Sequence, residues 1–207
     1  MNILTKMRSA ARLPALLLKN FGSERRGVAA IEFAMIAPLL LVMYFVTMEI
    51  APAIDSSKKV GRGASMIADL ITQQQSVKKA DVEAIMRIGD ATLLPYSRTK
   101  LKAYVTAIKV DTSSPPKALV VWSRKMIDGA FSVDKTPGTE VTIPTDLKVA
   151  NSFYIKVETA LDYRPMIVWT ADQKKTLGLL SAFDNINMRE AYFLRPRVTS
   201  EIGCSDC

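Results

Sequence analysis

Glu32 is the first residue whose type and setting can do chemistry. It is the only charged residue in the run VAAIEFAMIAPLLLVMYFVTM at 28–48. An ionisable group inside an apolar span costs about 2.5–3.5 kcal/mol at the centre of a membrane and less near an end, so it calls for a partner. Arg25 and Arg26 can provide one if the carboxylate snorkels to the interface. A second arrangement starts from Gly27. Were the chain cut after Gly27, Val28 would carry a free ammonium about 6 Å along a helix axis from Glu32. A neighbouring helix displaced axially by a similar step would bring its own ammonium level with this carboxylate. Each charge would then satisfy the other where an unpaired one is heavily penalised, and the pair would set the register of side-by-side packing.

The other reactive groups are Cys204 and Cys207, the chain's two cysteines. Two cysteines without a histidine do not complete a closed structural zinc site. A Cys-x-x-Cys pair serves redox chemistry when it opens a helix, which lowers a thiol pKa. At 204–207 the simpler readings are a small structural disulfide or a bridge from one cysteine to a partner, and both stay open. Histidine is absent altogether, which removes the commonest general base and metal ligand. Asp81 and Glu83 stand two apart and so face different sides of a helix. No catalytic set, metal site or cofactor loop is visible, and Gly61-Arg62-Gly63 is too short a pattern for a phosphate loop.

Charge and hydropathy indicate where such residues would act. Lys and Arg total 28 against 20 Asp and Glu, a formal net charge of +8 over 207 residues. The excess is spread without a dense block or recognition motif, which argues against nucleic acid. Part of it precedes the apolar run: Lys6, Arg8, Arg12, Lys19, Arg25 and Arg26, opposed by Glu24 alone. Glu49 and Asp55 follow the run before the first lysine, Lys58. The run is long enough to cross a bilayer core of about 30 Å as a helix, and the charge bias puts the first 27 residues in the cytoplasm. Those residues form either an amphipathic helix on the membrane surface or an unstructured leader. An ordinary signal peptide ending at Ala51-Pro52-Ala53 is the rival, but its leading region and apolar run would both be too long.

Beyond the run, Val60, Ala64, Ile67, Ala68 and Ile71 recur at helical spacing over 55–75, with Gly61 and Gly63 allowing close packing. A second helix is expected over 79–88, with Asp81 and Glu83 near its start and Gly89 at its end. From Lys100 the pattern turns to alternation. Strands are expected at 101–110 and 118–125 as a hairpin, at 139–143, at 152–161, at 166–170 and at 191–198. The expected fold class is α+β: a long N-terminal helix, transmembrane and then extended, packed on an antiparallel sheet of about four to six strands. The divisions are a leader at 1–27, a transmembrane helix at 28–50, a helical extension and second helix at 51–99, and an exported β-rich domain at 100–207. Trp122, Trp169, Tyr154 and Tyr163 lie in strand-like runs, which favours core packing over an exposed binding surface. Arg195 and Arg197 read as a solvated strand edge or as a site for an acidic partner.

Arg25-Arg26-Gly27 followed by Val28-Ala29-Ala30-Ile31-Glu32-Phe33-Ala34 resembles the prepilin-peptidase site of type IV pilin-like proteins. With Glu at the fifth position after the glycine and Ala37-Pro38-Leu39-Leu40 beyond, it resembles the TadE-like family. Trp122-Ser123, Tyr163-Arg164-Pro165 and 193–197 are similar to that family's outer domain. The resemblance implies cleavage by a prepilin peptidase between Gly27 and Val28. It also implies a non-catalytic role as a minor pseudopilin in the tight-adherence system that builds Flp (type IVb) pili. Implied partners are other pilin-like subunits, the assembly machinery, the prepilin peptidase and the lipid bilayer, with no cofactor. The implied location is the bacterial inner membrane, with the C-terminal domain periplasmic. Two alternatives stand beside this: a membrane-tethered periplasmic binding domain, and an adhesin released after Ala53.

Overall fold

The structure is a computed structural model, described here for residues 27–165 and 186–207. The expected strand at 166–170, with Trp169, and the leader residues ahead of Gly27 lie outside the described residues. The chain divides into two compact units, Met1–Met48 and Glu49–Cys207.

Helix α1 spans Val28–Thr72. In the first unit its side chains are exposed almost throughout, with Ile31, Phe33 and Leu39 each more than 60% exposed. A helix apolar on every side has no single face to bury, so it belongs in lipid or among other helices. The helix is long and apolar enough to cross a membrane.

In the second unit α1 changes character. Val60, Ala64, Ile67, Ala68 and Ile71 are completely buried, the stripe expected from their spacing. They pack on helix α2, Lys79–Ala91, and on strands β2, Lys102–Val110, β3, Ala118–Ile127, and β5, Phe153–Tyr163. With β4, Ala130–Ser132, and β6, Ile186–Leu194, these strands form a five-stranded antiparallel sheet ordered β4-β3-β2-β5-β6. Ala103, Val105, Ala107, Ile155 and Val157 meet the helices, while Lys102, Tyr104, Lys156 and Glu158 take the opposite face, as period-2 alternation requires. A register shift at Ala107/Ile108 leaves Val121 as an extra residue in β3. It turns Trp122 to the helix face while Val120 and Ile108 share the other.

Three expectations need correction. Gly89 does not end α2, which continues to Ala91. The glycine instead sits where the helices touch, and a Cβ there would stand 2.4 Å from Ile67 Cδ1. Close approach, not termination, is why the position is glycine. The segment 139–143 forms one bridge, Leu119 to Glu140, beside the start of β3 and not a strand of its own. The last long strand starts earlier than expected, at Ile186. Two short strands were not expected at all. β1, Ser76–Val77, pairs in parallel with β7, Gly203–Cys204, so the chain's last residues lie beside the link between the two helices.

Candidate functional site

Gly27 precedes α1 as a turn residue, and its carbonyl accepts the Ile31 N–H at 3.2 Å, the first bond of the helix. Among the described residues, nothing lies within 4 Å of where a Gly27 side chain would project, and Val28 is 48% exposed. The Gly27–Val28 bond is at a helix start. Glu32 is exposed one turn on, over the same helix face as Val28. Ile36 and Leu39 continue that face and are also exposed. No Lys or Arg occurs from Gly27 to Ser57. A cation for Glu32 must come from the residues before Gly27, from a new amino terminus, or from another chain. Ala30, Ala34 and Ala37 form a stripe of small side chains along the same segment, the kind that allows helix backbones to approach closely in lipid.

The other singled-out residues are bound up in the fold. The Asp81 carboxylate accepts the Lys78 N–H at 2.9 Å, closing the first turn of α2. Glu83 pairs with the nearly buried Arg124 of β3. These two carboxylates thus diverge. Trp122 is buried, and its indole N–H donates to the Ile202 carbonyl at 2.8 Å. Tyr154 and Tyr163 are buried as well. Arg195 lies over the Tyr154 ring and donates to its hydroxyl at 2.9 Å. Arg197 pairs with Asp69 at 2.6 Å, and its backbone N–H caps the Thr72 carbonyl at the end of α1. Both arginines fasten the strand β6 segment to its surroundings.

Cys204 and Cys207 are joined as a disulfide with their Cα atoms 5.6 Å apart. Beside it, the Asp206 carboxylate accepts the Lys79 N–H at 2.7 Å, supplying a second acceptor at the start of α2. Sequence reasoning missed the Glu83–Arg124 pair and the Trp122–Ile202 bond because both join segments far apart in the chain.

Residues 27–68 match the family model of the TadE-like proteins. The match starts at the glycine before α1, takes in the whole apolar run and Glu32, and ends within the buried stripe of the helix. It covers about a fifth of the chain and leaves the sheet outside. No curated protein and no solved structure matches the chain significantly. The matched segment is similar to the TadE-like proteins, a family associated with Tad pili, and its apolar helix precedes a folded C-terminal domain.

Proposed function

We propose that this protein is a membrane-anchored minor pseudopilin that serves assembly of an Flp-type pilus and has no catalytic role of its own. Prepilin peptidase cuts between Gly27 and Val28. The apolar segment of α1 stays in the inner membrane, and the domain from Glu49 onward lies on the periplasmic side. The Glu32 carboxylate then pairs with the Val28 ammonium of a neighbouring pilin-like subunit and fixes the axial stagger.

One observation carries this reading: the TadE-like match begins at Gly27 and takes in Glu32, the one charged residue of the apolar run, with no Lys or Arg on its own helix before Lys58. The test is the mass of the mature amino terminus with and without coexpressed peptidase. A peptidase-dependent start at Val28 is expected. A start at Ile54 would mean an ordinary signal peptide and end the pilin reading. An intact Met1 would leave a tethered assembly factor and remove the ammonium from the pairing.

Substituting Glu32→Gln separates a pilus subunit from a simple tether. The amide inserts into lipid at least as well as the carboxylate, because it sheds the cost of burying a charge. The expected outcome is a normal membrane level of the protein and loss of piliation by electron microscopy. Wild-type piliation would instead favour a periplasmic binding domain that the helix only tethers.

A further inference from the structure

Helix α2 begins at Lys79, with Lys78 as its N-cap residue. A lysine side chain carries donors and no acceptor, so it satisfies none of the free N–H groups of the first turn. The Asp81 carboxylate accepts the N–H of Lys78 itself. The Lys79 N–H is met by Asp206, 127 residues further along the chain. The part that a local Ser, Thr or Asp plays at most helix starts has passed to a side chain near the end of this sequence.

Asp206 lies inside the ring closed by Cys204 and Cys207. Ser205 and Asp206 are exposed, and both cysteines are half-buried against the main core. The segment has two sections of different depth. Ile202 is the deep one, fully buried, with its carbonyl held by Trp122. Residues 203–207 are the shallow one. They touch the fold through two residue pairs to β1, the Asp206–Lys79 bond and the two sulfurs. Two pairs are too few to hold a strand unaided, and lifting 203–207 withdraws no aliphatic or aromatic side chain of its own from the core. Such a segment opens locally, below the cost of unfolding the domain. The disulfide opposes that opening, because the ring takes chain entropy from the detached segment. Its sulfurs are not fully covered, so an attacking thiolate can reach them.

We propose that residues 203–207 form a redox-controlled latch, in which thiol–disulfide exchange at Cys204 and Cys207 sets how firmly Asp206 caps α2 and β7 covers β1. Closing the ring takes two electrons and two protons from the two thiols. The oxidant is the disulfide of a thiol–disulfide oxidoreductase, which leaves as two thiols. Opening runs in reverse with a dithiol donor. Its thiolate attacks one sulfur, and the other cysteine leaves as a thiolate and takes up a proton. The donor's second thiolate then closes the donor disulfide and releases the remaining cysteine. The reduced chain keeps Ile202 and Trp122 in place while the first turn of α2 and the Ser76–Val77 edge open more often.

The test is amide hydrogen exchange on the full chain in detergent, oxidised and then reduced with dithiothreitol without denaturant. Amides at 76–80 should exchange about twentyfold faster after reduction, the ratio that the entropy of so short a ring gives. That exchange should depend little on urea below the unfolding transition, the mark of a local opening. Asp206→Ala should speed the Lys79 amide in the oxidised chain, with the disulfide intact. The paired Cys204→Ser and Cys207→Ser variant should match the reduced chain. Unchanged exchange at 76–80 on reduction would overturn the latch, as would a Lys79 amide indifferent to Asp206→Ala. A urea dependence as steep as that of the sheet amides would mean that the whole domain opens at once, and would overturn it too. Cysteines that resist dithiothreitol until the chain is unfolded would rule out exchange in the folded protein.

Discussion

Arg124 is 4% exposed, and its Nε has no partner, so its charge depends on Glu83. Removing one member of a buried ion pair is far worse than replacing both, because a stranded charge stays desolvated. Glu83→Ala is therefore expected to lower unfolding free energy by about 3–5 kcal/mol in urea titrations, and Glu83→Leu with Arg124→Met by much less. Asp111 is the opposite case, a partly exposed carboxylate at the β2–β3 turn. It accepts the Lys117 N–H at 2.7 Å, the Ser113 hydroxyl at 2.6 Å and the Ser113 N–H at 3.1 Å. The Lys117 backbone bond, then those from Ser113, hold its pKa below the ordinary 3.8. A depressed folded-state pKa means the stabilisation is present above 3.8 and is lost as pH falls through the lower folded value. The melting-temperature gap between wild type and Asp111→Ala should stay constant near neutral pH and close in acid. The sequence pointed to Asp81 and Glu83 as carboxylates worth attention. It placed both near a helix start, where Asp81 does cap the first turn, but it could not show that Glu83 meets an arginine 41 residues away, since pairing across layers leaves no local trace.

Among the elements, the crossing of α1 and α2 is the clearest case of sequence and structure agreeing for an incomplete reason. Gly63 permits the approach that its spacing suggested: a Cβ there would meet the Gly89 carbonyl at 3.2 Å and Thr92 Oγ1 at 3.0 Å. Gly89 was legible only as a stop signal, because a glycine at a helix end and a glycine at a helix contact look alike in one dimension. Gly89→Ala gains about 1 kcal/mol of helix propensity but forces overlap with Ile67, and overpacking costs about 1–3 kcal/mol. A net loss of stability is expected in the wild-type background. In an Ile67→Ala background, itself destabilised by about 2–5 kcal/mol, adding Gly89→Ala should instead raise stability. A double-mutant cycle by calorimetry reads the sign change directly. The strand alternation at 101–110 and 152–161 was plain in the sequence. The bulge at Val121 was not, because the extra residue is visible only against the partner strand.

Over the whole molecule, the α+β class, the apolar helix and the packing stripe were readable because each rests on a periodicity within one segment. The closure of the fold was not. Ile202 is completely buried in the main core, Trp122 donates to its carbonyl, and β7 pairs with β1 across 127 residues. The disulfide lies beside this closure but encloses a loop of only a few residues, for which chain entropy allows about 2 kcal/mol. Ile202→Ala is expected to cost about 2–5 kcal/mol. Chemical denaturation should therefore rank Ile202→Ala as more damaging than the paired Cys204→Ser and Cys207→Ser substitution. A reversed order would make the crosslink, not the buried side chain, the main fastening.

The parallel pairing of β1 with β7 also has a consequence in time. A polypeptide is synthesised and exported from its amino end, so residues 76–77 arrive well before the strand that will lie beside them. The Trp122 indole and the first turn of α2 likewise wait for acceptors supplied by Ile202 and Asp206. Until the segment at 202–207 has been delivered, the core has a gap where Ile202 belongs, and the two-stranded pairing cannot begin. The domain must therefore finish folding after residues 202–207 have been made, and any partner that recognises the closed form sees only chains in which that segment has docked.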